Sequence, residues 1–267
     1  MRTTFLICAA GSGVRFAQLL PTIPKPLIQL EGKTLLEWSL ASLPILPTDD
    51  VLIVTQAKDQ IQAKLGEYLA AIYPFNDLKW LELDQPTRGQ LDTVWQARHE
   101  LDQTKSLTIY NSDSYFESPT LSPAIRLGSA AGIIPCSQQP GEAWSFCKID
   151  QADRVLEVAE KVRISDWASV GLYFFRDTQR FLKLAEAELN TPQPSEYYVA
   201  PIYQRYLATG EDIRIDKLAV FKPMGTPEQI EKYWQVKPVE LVRENQSQTQ
   251  INSQNFRTES WPKTMLE

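Results

Sequence analysis

The first half of the chain alternates between short apolar runs of strand length and longer runs with helical periodicity. Over the whole chain, strand patterns lie at residues 4–9, 51–55, 78–83, 107–111, 131–135, 144–149, 155–159, 169–175 and 217–221. Helical patterns lie at residues 34–43, 60–73, 90–101, 178–188, 197–208 and 227–233. Because strands that alternate with helices are typical of parallel sheets, the sequence predicts an α/β fold on a mainly parallel sheet. The strand-rich middle of the chain is expected to extend or cap that sheet.

The first strand pattern leads into a loop of small residues, which comprises Ala10, Gly11, Ser12 and Gly13. Glycine lets the backbone bend sharply and approach a ligand, so that backbone N–H groups can point at phosphate oxygens. Arg15 and Lys25 add positive charge, and the prolines on both sides of Lys25 are expected to hold it extended. The loop is therefore predicted to bind the phosphates of a nucleotide. The alternative is a tight strand-to-helix turn without a ligand.

An aspartate, Asp113, comes just after the strand pattern at 107–111. In open α/β sheets ligands gather beyond the carboxyl ends of the strands, and the glycine loop follows another such end. A carboxylate that faces a phosphate loop is suited to Mg²⁺, which prefers oxygen ligands and bridges to substrate phosphates. Asp113 is therefore a candidate metal ligand, with an Asx turn or a helix cap as the alternative.

Polar residues near other predicted strand ends are candidates for substrate contacts. The amide of Gln85 can read a base edge, and Gly89 lets the backbone approach that base. Glu160 can accept hydrogen bonds from sugar-like hydroxyls, and Lys161 can hold a substrate phosphate. Their strand neighbours a segment that carries Gly171. The alternative for Glu160 and Lys161 is a solvated surface pair.

Composition excludes several classes of function. The 267 residues carry a formal net charge of −6, whereas proteins that bind nucleic acid usually need a basic surface. No run approaches the ~20 apolar residues of a membrane span and no signal-peptide pattern begins the chain, so a soluble cytoplasmic protein without membrane or nucleic-acid partners is expected. The single histidine, His99, argues against catalysis by two histidines or a Ser-His-Asp triad.

The end of the chain differs in character from the rest. Residues 236–267 are polar, and the stretch 244–255 is nearly free of hydrophobic side chains. Such segments bury too little apolar surface to fold alone. The sequence thus predicts one domain over residues 1–235 and a poorly ordered extension over residues 236–267.

The ordered set of motifs resembles the nucleotidyltransferase superfamily of nucleoside-diphosphate-sugar pyrophosphorylases. The motifs are Ala-Ala-Gly-Ser-Gly-Val-Arg-Phe at 9–16, Pro-Lys-Pro-Leu-Ile at 24–28, Gly-Lys-Thr-Leu-Leu-Glu at 32–37, Asn-Ser-Asp at 111–113, Glu-Lys at 160–161 and Gly-Thr-Pro at 225–227. The chain looks particularly similar to members associated with capsule and surface-polysaccharide genes, some of which are cytidylyltransferases.

The resemblance implies a Rossmann-like, three-layer α/β/α fold. It also implies transfer of an NMP from an NTP to a phosphorylated small acceptor, such as a sugar-1-phosphate, with release of pyrophosphate. By the same resemblance Ala10, Gly11, Ser12, Gly13 and Arg15 would cradle the triphosphate, Lys25 would contact the reacting and leaving phosphates, Gln85 and Gly89 would contact the base, Asp113 would bind Mg²⁺, and Glu160, Lys161, Val170 and Gly171 would line the acceptor side. Family members are often dimers or tetramers, so a homo-oligomer is compatible with the resemblance.

Two departures from the family pattern keep alternatives open. Pro223 stands where many members have a second metal-binding aspartate, and Asn111 and Ser112 precede Asp113 where a glycine is commoner. One alternative is a cytidylyltransferase for a non-sugar phosphate, and another is a non-catalytic regulatory module that binds a nucleotide or sugar. A dinucleotide-dependent oxidoreductase is disfavoured, because Phe16 replaces the third glycine of G-x-G-x-x-G.

Overall fold

A ten-stranded mixed sheet forms the centre of the computed structural model, which describes residues 1–73, 75–192 and 196–251. The strands are β1 (Thr3–Cys8), β2 (Gln29–Leu30), β3 (Lys33–Thr34), β4 (Asp50–Gln56), β5 (Asp77–Leu83), β6 (Ser106–Asn111), β7 (Ser114–Glu117), β8 (Gly132–Gln138), β9 (Ser145–Ile149), β10 (Val155–Glu160), β11 (Trp167–Ser169), β12 (Leu172–Phe175), β13 (Ile213–Lys217) and β14 (Val220–Pro223). The helices are α1 (Val14–Ala17), α2 (Leu35–Ala41), α3 (Ile61–Ile72), α4 (Gln90–Gln96), α5 (Leu121–Leu127), α6 (Thr178–Leu189), α7 (Ile202–Leu207), α8 (Pro227–Trp234) and α9 (Pro238–Ile251).

The strand order of the main sheet is β10-β9-β11-β8-β12-β6-β1-β4-β5, and β13 pairs with β8 outside this path. Strands β6, β1, β4 and β5 run parallel to one another, whereas β12 inserts antiparallel between β6 and β8. The register pairs Cys8 at the end of β1 with Asn111 at the end of β6. The segments that follow these two strands therefore emerge side by side at one edge of the sheet.

Helices cover both faces of this sheet. Because side chains alternate along a strand, Phe5 and Ile7 of β1 pack on one face with α2, α3 and α5, while Leu6 packs on the other with α4, α6 and α7. The three-layer arrangement confirms the predicted α/β/α fold. It requires strands buried on both faces, which explains why the central strands read as continuous apolar runs.

A separate apolar cluster lies beside the main sheet. Phe16 of α1, Ile28, Met224 and residues of α8 meet there with Leu241 of α9. The antiparallel pairs β2–β3 and β7–β14 border this region. The cluster ties the segments after β1, before α2 and after β14 to one another.

Three predicted elements differ from those observed. The predicted strand at 217–221 is wrong, because β13 ends at Lys217 and β14 begins at Val220 to pair with β7 instead of the main sheet. The predicted strand at 169–175 is interrupted at Gly171, which has φ 87°. The helix predicted from Tyr197 starts only at Ile202, since the backbone of Tyr197 pairs with Arg88 and Leu91. Each difference reflects a pairing between segments far apart in the chain.

Within the described part of the polar extension, residues 236–251, the segment Pro238–Ile251 is helical. Helix α9 buries Leu241 and Asn245 against the rest of the protein, and residues 252–267 lie outside the described residues. None of the helices in the described ranges is long and apolar enough to cross a membrane.

Candidate active site

A cleft of about 380 Å³ opens at the carboxyl ends of β1 and β6. Its lining combines the glycine loop, the segment before α4 and the residues after β6. The lining residues are Cys8, Ala9, Ala10, Gly11, Ser12, Lys25, Pro26, Pro86, Thr87, Gly89, Gln90, Thr93, Asn111, Ser112, Asp113 and Glu196. This is the edge of an α/β sheet at which ligands are expected.

The glycine loop is anchored to β4 at its start. Ala9 donates its N–H to Val54 O (2.8 Å), and Ala10 O accepts from Gln56 Nε2 (2.9 Å). Gly13 has φ 60°, and a Cβ there would lie 3.1 Å from Lys25 Cβ. By contrast, no atom lies within 4 Å of the place where a Cβ on Gly11 would project. The loop is thus fixed at one end and open above Gly11.

Lys25 and Asp113 form an ion pair inside the cleft. Lys25 Nζ lies 2.8 Å from Asp113 Oδ2, and the two side chains are only 16% and 29% exposed. Lys25 begins a 3₁₀ turn over Lys25–Leu27, so the expected extended conformation was wrong. Pro26 fits this first turn because the turn requires no N–H from it. The Asp113 carbonyl accepts from Met224 N (2.8 Å), which fixes the aspartate against the end of β14.

The segment before α4 contacts the backbone of Tyr197. Leu91 N donates to Tyr197 O and Tyr197 N donates to Arg88 O, both at 2.9 Å. Gly89, with φ 135°, lies so close that a Cβ would sit 2.5 Å from Tyr197 O. Only glycine fits there without strain. Gln85 is exposed and does not line the cleft.

A hydrogen bond between two side chains that line the cleft joins α4 to the end of β6. Gln90 Nε2 donates to Asn111 Oδ1 (2.6 Å), and Asn111 N donates to Gly171 O (3.1 Å). A Cβ on Gly171 would lie 2.5 Å from Asn111 Nδ2, so the close approach of this backbone to Asn111 requires glycine. Burial raises the pKa of the Cys8 thiol well above its ordinary value, which makes it a poor nucleophile.

Glu160 and Lys161 lie at the end of β10, outside the lining of the cleft. Burial raises the pKa of Glu160, whose carboxylate accepts a hydrogen bond from Ser145 Oγ. Lys161 Nζ donates to Tyr198 Oη and stands 4.5 Å from the centre of that ring; this hydrogen bond raises the pKa of Lys161. Tyr198 Oη in turn donates to Glu196 Oε2 (2.7 Å). Since Glu196 lines the cleft, Tyr198 links Lys161 to it.

Arg15 lies on the exposed side of α1 and does not line the cleft. A hydrogen bond from Thr226 lowers the pKa of Glu228, and the charge of Arg15 contributes to that shift. Arg15 therefore lies near enough to Glu228, in the first turn of α8, for its charge to act on that carboxylate.

The structure brings together part of the predicted set. Ala10, Gly11, Ser12, Lys25, Gly89 and Asp113 line one cleft, Gly13 touches Lys25, and Gly171 adjoins through Asn111. Arg15, Gln85, Glu160, Lys161 and the buried Val170 do not line it.

The sequence reasoning missed several residues that line the cleft and one, Tyr198, that connects to it. Thr87, Gln90 and Thr93 lie within four residues of Gly89, so the choice of Gly89 could have indicated them. Glu196 and Tyr198 had no local signal, because their place depends on the contact between Tyr197 and the segment before α4.

Comparisons with known proteins agree with this geometry. The model of the nucleotidyl transferase family matches residues 5–235. A nucleoside-diphosphate-sugar pyrophosphorylase from Vibrio cholerae RC9 is 25% identical in sequence with a TM-score of 0.75, over 88% of this chain and 100% of that one.

More distant structures share the fold. The inositol-1-phosphate CTP transferase from T. maritima is 13% identical with a TM-score of 0.68, over 89% of this chain and 95% of that one. A candidate glucose-1-phosphate thymidylyltransferase from Bacillus anthracis is 14% identical with a TM-score of 0.72, over 86% and 93%. No curated protein matches the chain. The family match spans most of the sequence and the whole cleft as far as Glu196, and the chain belongs to the nucleotidyl transferase family as a nucleotidyltransferase enzyme.

Proposed function

We propose that this enzyme transfers an NMP from an NTP to a sugar-1-phosphate or a similar phosphorylated small acceptor, with release of pyrophosphate, to supply surface-polysaccharide or capsule precursors. The observation that carries the proposal is the Lys25–Asp113 pair beside the open glycine loop. It joins a cation for phosphates, a carboxylate for a metal and a backbone that a triphosphate can approach.

The reaction needs no general base from the protein. A phosphate monoester is mostly ionised near neutral pH, because its second pKa is about 6. Its oxygen attacks the α-phosphorus, a new O–P bond forms, and the α–β bridging bond breaks with its electron pair leaving on pyrophosphate. Catalysis then reduces to in-line positioning and neutralisation of charge. Lys25 would contact the reacting and leaving phosphates, and Ala10, Gly11, Ser12, Gly13 and Arg15 would hold the triphosphate.

The donor set suits Mg²⁺ delivered with the nucleotide. Mg²⁺ is usually bound through one or two carboxylates together with substrate phosphates and waters. Asp113 supplies one carboxylate at the cleft, while Pro223 at the end of β14 has no side-chain oxygen. The described residues contain no group of three or more His, Cys, Asp or Glu side chains placed to hold a metal. Asp113 would therefore hold the ion jointly with phosphate oxygens, and the bound ion would neutralise developing charge there.

The remaining candidate residues are assigned to two groups, one for the base of the NTP and one for the acceptor. Gln85 and Gly89 would contact the base; for the exposed Gln85 this requires its side chain to turn toward a bound nucleotide. Glu160, Lys161, Val170 and Gly171 would face the acceptor. Lys161 supports this division, because its ammonium is linked through Tyr198 to Glu196 in the cleft.

A regulatory module that binds a nucleotide without turnover is the second candidate. Pro223 favours it, since Asp113 is left without a neighbouring carboxylate at that position. The retained pair of Lys25 and Asp113 argues for the enzyme, because a sensor has little use for a cation aimed at a leaving group.

One experiment separates the two. Purified protein is incubated with Mg²⁺ and each of the four NTPs against a panel of phosphorylated sugars, polyols and amino alcohols, and pyrophosphate is followed. Release with one NTP and one acceptor supports the proposal and identifies both substrates. Tight NTP binding with no release across the panel overturns it in favour of the module.

A further inference from the structure

Helix α9 lies beyond the residues that match the family model, yet it holds the segment that carries Lys25. We propose that α9 is a clasp that positions Lys25, with Asn245 and Glu244 as its positioning residues. The catalytic part of this inference rests on the role proposed above for Lys25.

Asn245 pairs with the backbone of β2 as a neighbouring strand would. Its Oδ1 accepts from Gln29 N (2.8 Å), and its Nδ2 donates to Gln29 O (2.9 Å). The same Nδ2 also donates to Leu241 O (2.8 Å), and Asn245 is only 2% exposed. A buried amide that bonds to both the N–H and the C=O of one residue fixes that residue closely. Loss of either hydrogen bond would leave a buried polar group unpaired, which costs free energy.

Glu244 holds the turn between β2 and β3. Its two carboxylate oxygens accept from Gly32 N (2.8 Å) and Glu31 N (3.2 Å). Both residues have positive φ, 50° for Glu31 and 80° for Gly32. For Glu31 such a backbone is unfavourable, so the turn benefits from an external anion that binds its N–H groups.

The β2–β3 hairpin, which α9 holds, follows directly after the 3₁₀ turn that contains Lys25. Leu27 N donates to Pro24 O (2.9 Å) and Ile28 N to Lys25 O (3.2 Å), and Gln29 follows at once. Ile28 O accepts from Leu35 N (2.9 Å), which fastens the other end to α2. A shift of Gln29 would therefore be passed through two short turns to Lys25.

Helix α9 also packs into the apolar cluster that adjoins the glycine loop and the segment that anchors Asp113. Leu241 is fully buried in the cluster that holds Phe16, which follows the glycine loop, and Met224, whose N–H binds the Asp113 carbonyl. The helix thus belongs to the same packed cluster as the elements on either side of the ion pair. Since a displacement of about 1 Å can cost up to 10²-fold in rate, such support affects catalysis as well as stability.

The test compares Asn245→Ala and Glu244→Ala with Gln246→Ala, a change at an exposed position on the same helix. Hydrogen exchange should accelerate at Gln29 in the first variant and at Glu31 and Gly32 in the second, with no change in the control. Acetylation of Lys25 by acetic anhydride, followed by mass spectrometry, should become several-fold faster in both clasp variants. Unchanged exchange and labelling would overturn the clasp whether or not the protein is active.

Turnover then tests the catalytic part. Asn245→Ala should lower kcat for pyrophosphate release roughly tenfold with a smaller change in the KM for NTP. In a Lys25→Ala background the same substitution should leave the residual rate unchanged, because its effect passes through Lys25. An equal loss in both backgrounds, or normal kcat despite faster exchange, would overturn the positioning role. A wild-type protein with no turnover would refute the proposed function, and the exchange and labelling results would still decide whether α9 holds Lys25.

Discussion

Lys25 Nζ and Asp113 Oδ2 lie 2.8 Å apart although 88 residues separate them in the chain. One comes from the 3₁₀ turn before β2 and the other from the segment between β6 and β7, and both reach the same cleft. In the free protein each charge is compensated by the other. When an NTP and its metal bind, Lys25 would contact phosphate and Asp113 would hold the metal. Contacts to the substrate would then replace the ion pair.

Replacement of Lys25 tests this exchange directly. Lys25→Ala should lower kcat/KM for pyrophosphate release on the order of 10²-fold or more, because a preorganised charge at the leaving group is lost. The thermal unfolding midpoint should stay close to that of the wild type, because Asp113 keeps its backbone anchor to Met224 and partial access to water. Pyrophosphate release and circular dichroism measure the two effects.

Lys64→Ala is the matched control for Lys25→Ala, since Lys64 is an exposed lysine on α3 away from the cleft. It should leave turnover unchanged. Near-normal turnover of Lys25→Ala would contradict the proposed mechanism.

Alanine substitutions at two glycines of the cleft should affect different properties, NTP binding for Gly11 and stability for Gly89. Gly11→Ala meets no atom within 4 Å, so it should leave stability unchanged and raise the KM for NTP if phosphates approach this backbone. Gly89→Ala places a Cβ 2.5 Å from Tyr197 O at φ 135° and should cost roughly 1–3 kcal/mol of unfolding free energy. Urea unfolding and NTP titrations on both variants measure this contrast. Equal stability losses would show that Gly11 serves only the turn.

Local patterns of the sequence were sufficient for the sheet and for the cleft residues that follow its strands. Phe5, Leu6 and Ile7 alternate between two apolar faces, and this alone predicts a strand covered on both sides. The same logic located Gly11 and Asp113, because both follow central parallel strands.

Long-range pairing could not be inferred from local patterns. Tyr197 reads as helical, but its backbone groups bind Arg88 and Leu91, which places Glu196 in the cleft. Asn245 belongs to a stretch with almost no hydrophobic residues and is buried because its amide matches the edge of β2. In both cases the decisive partner lies about a hundred or more residues away.

Tyr198 tests the link between Lys161 and the cleft. Tyr198→Phe removes the hydroxyl that accepts from Lys161 and donates to Glu196, while the ring can still contact the Lys161 ammonium. The KM for the phosphorylated acceptor should rise several-fold, because Lys161 loses the hydrogen bond that orients it, and the KM for NTP should change little. Steady-state kinetics with each substrate varied in turn give the split.

The control for Tyr198→Phe is Tyr206→Phe. The Tyr206 hydroxyl is buried with no hydrogen-bond partner among the described residues, and it lies outside the lining of the cleft. Neither KM should move. If Tyr198→Phe changes only the KM for NTP, Lys161 does not serve the acceptor.

Glu160 gives a prediction about pH. Burial raises its pKa above the ordinary value of 4.5, so the folded protein holds this proton more tightly than the unfolded chain. The stabilising contribution is complete below about 4.5 and is lost as pH rises through the folded-state pKa. Glu160→Gln cannot ionise and can still accept from Ser145 Oγ. Its unfolding free energy relative to wild type should therefore increase across that window and stay constant above it.

Urea unfolding from about pH 4 to pH 8 measures the difference between Glu160→Gln and wild type. The acceptor KM of Glu160→Gln should rise, since a neutral amide accepts more weakly from hydroxyls than a carboxylate does. If the unfolding free energies of Glu160→Gln and wild type change with pH in parallel, the carboxylate is hydrated in the folded protein. If the KM for the acceptor does not change, Glu160 does not serve the acceptor side.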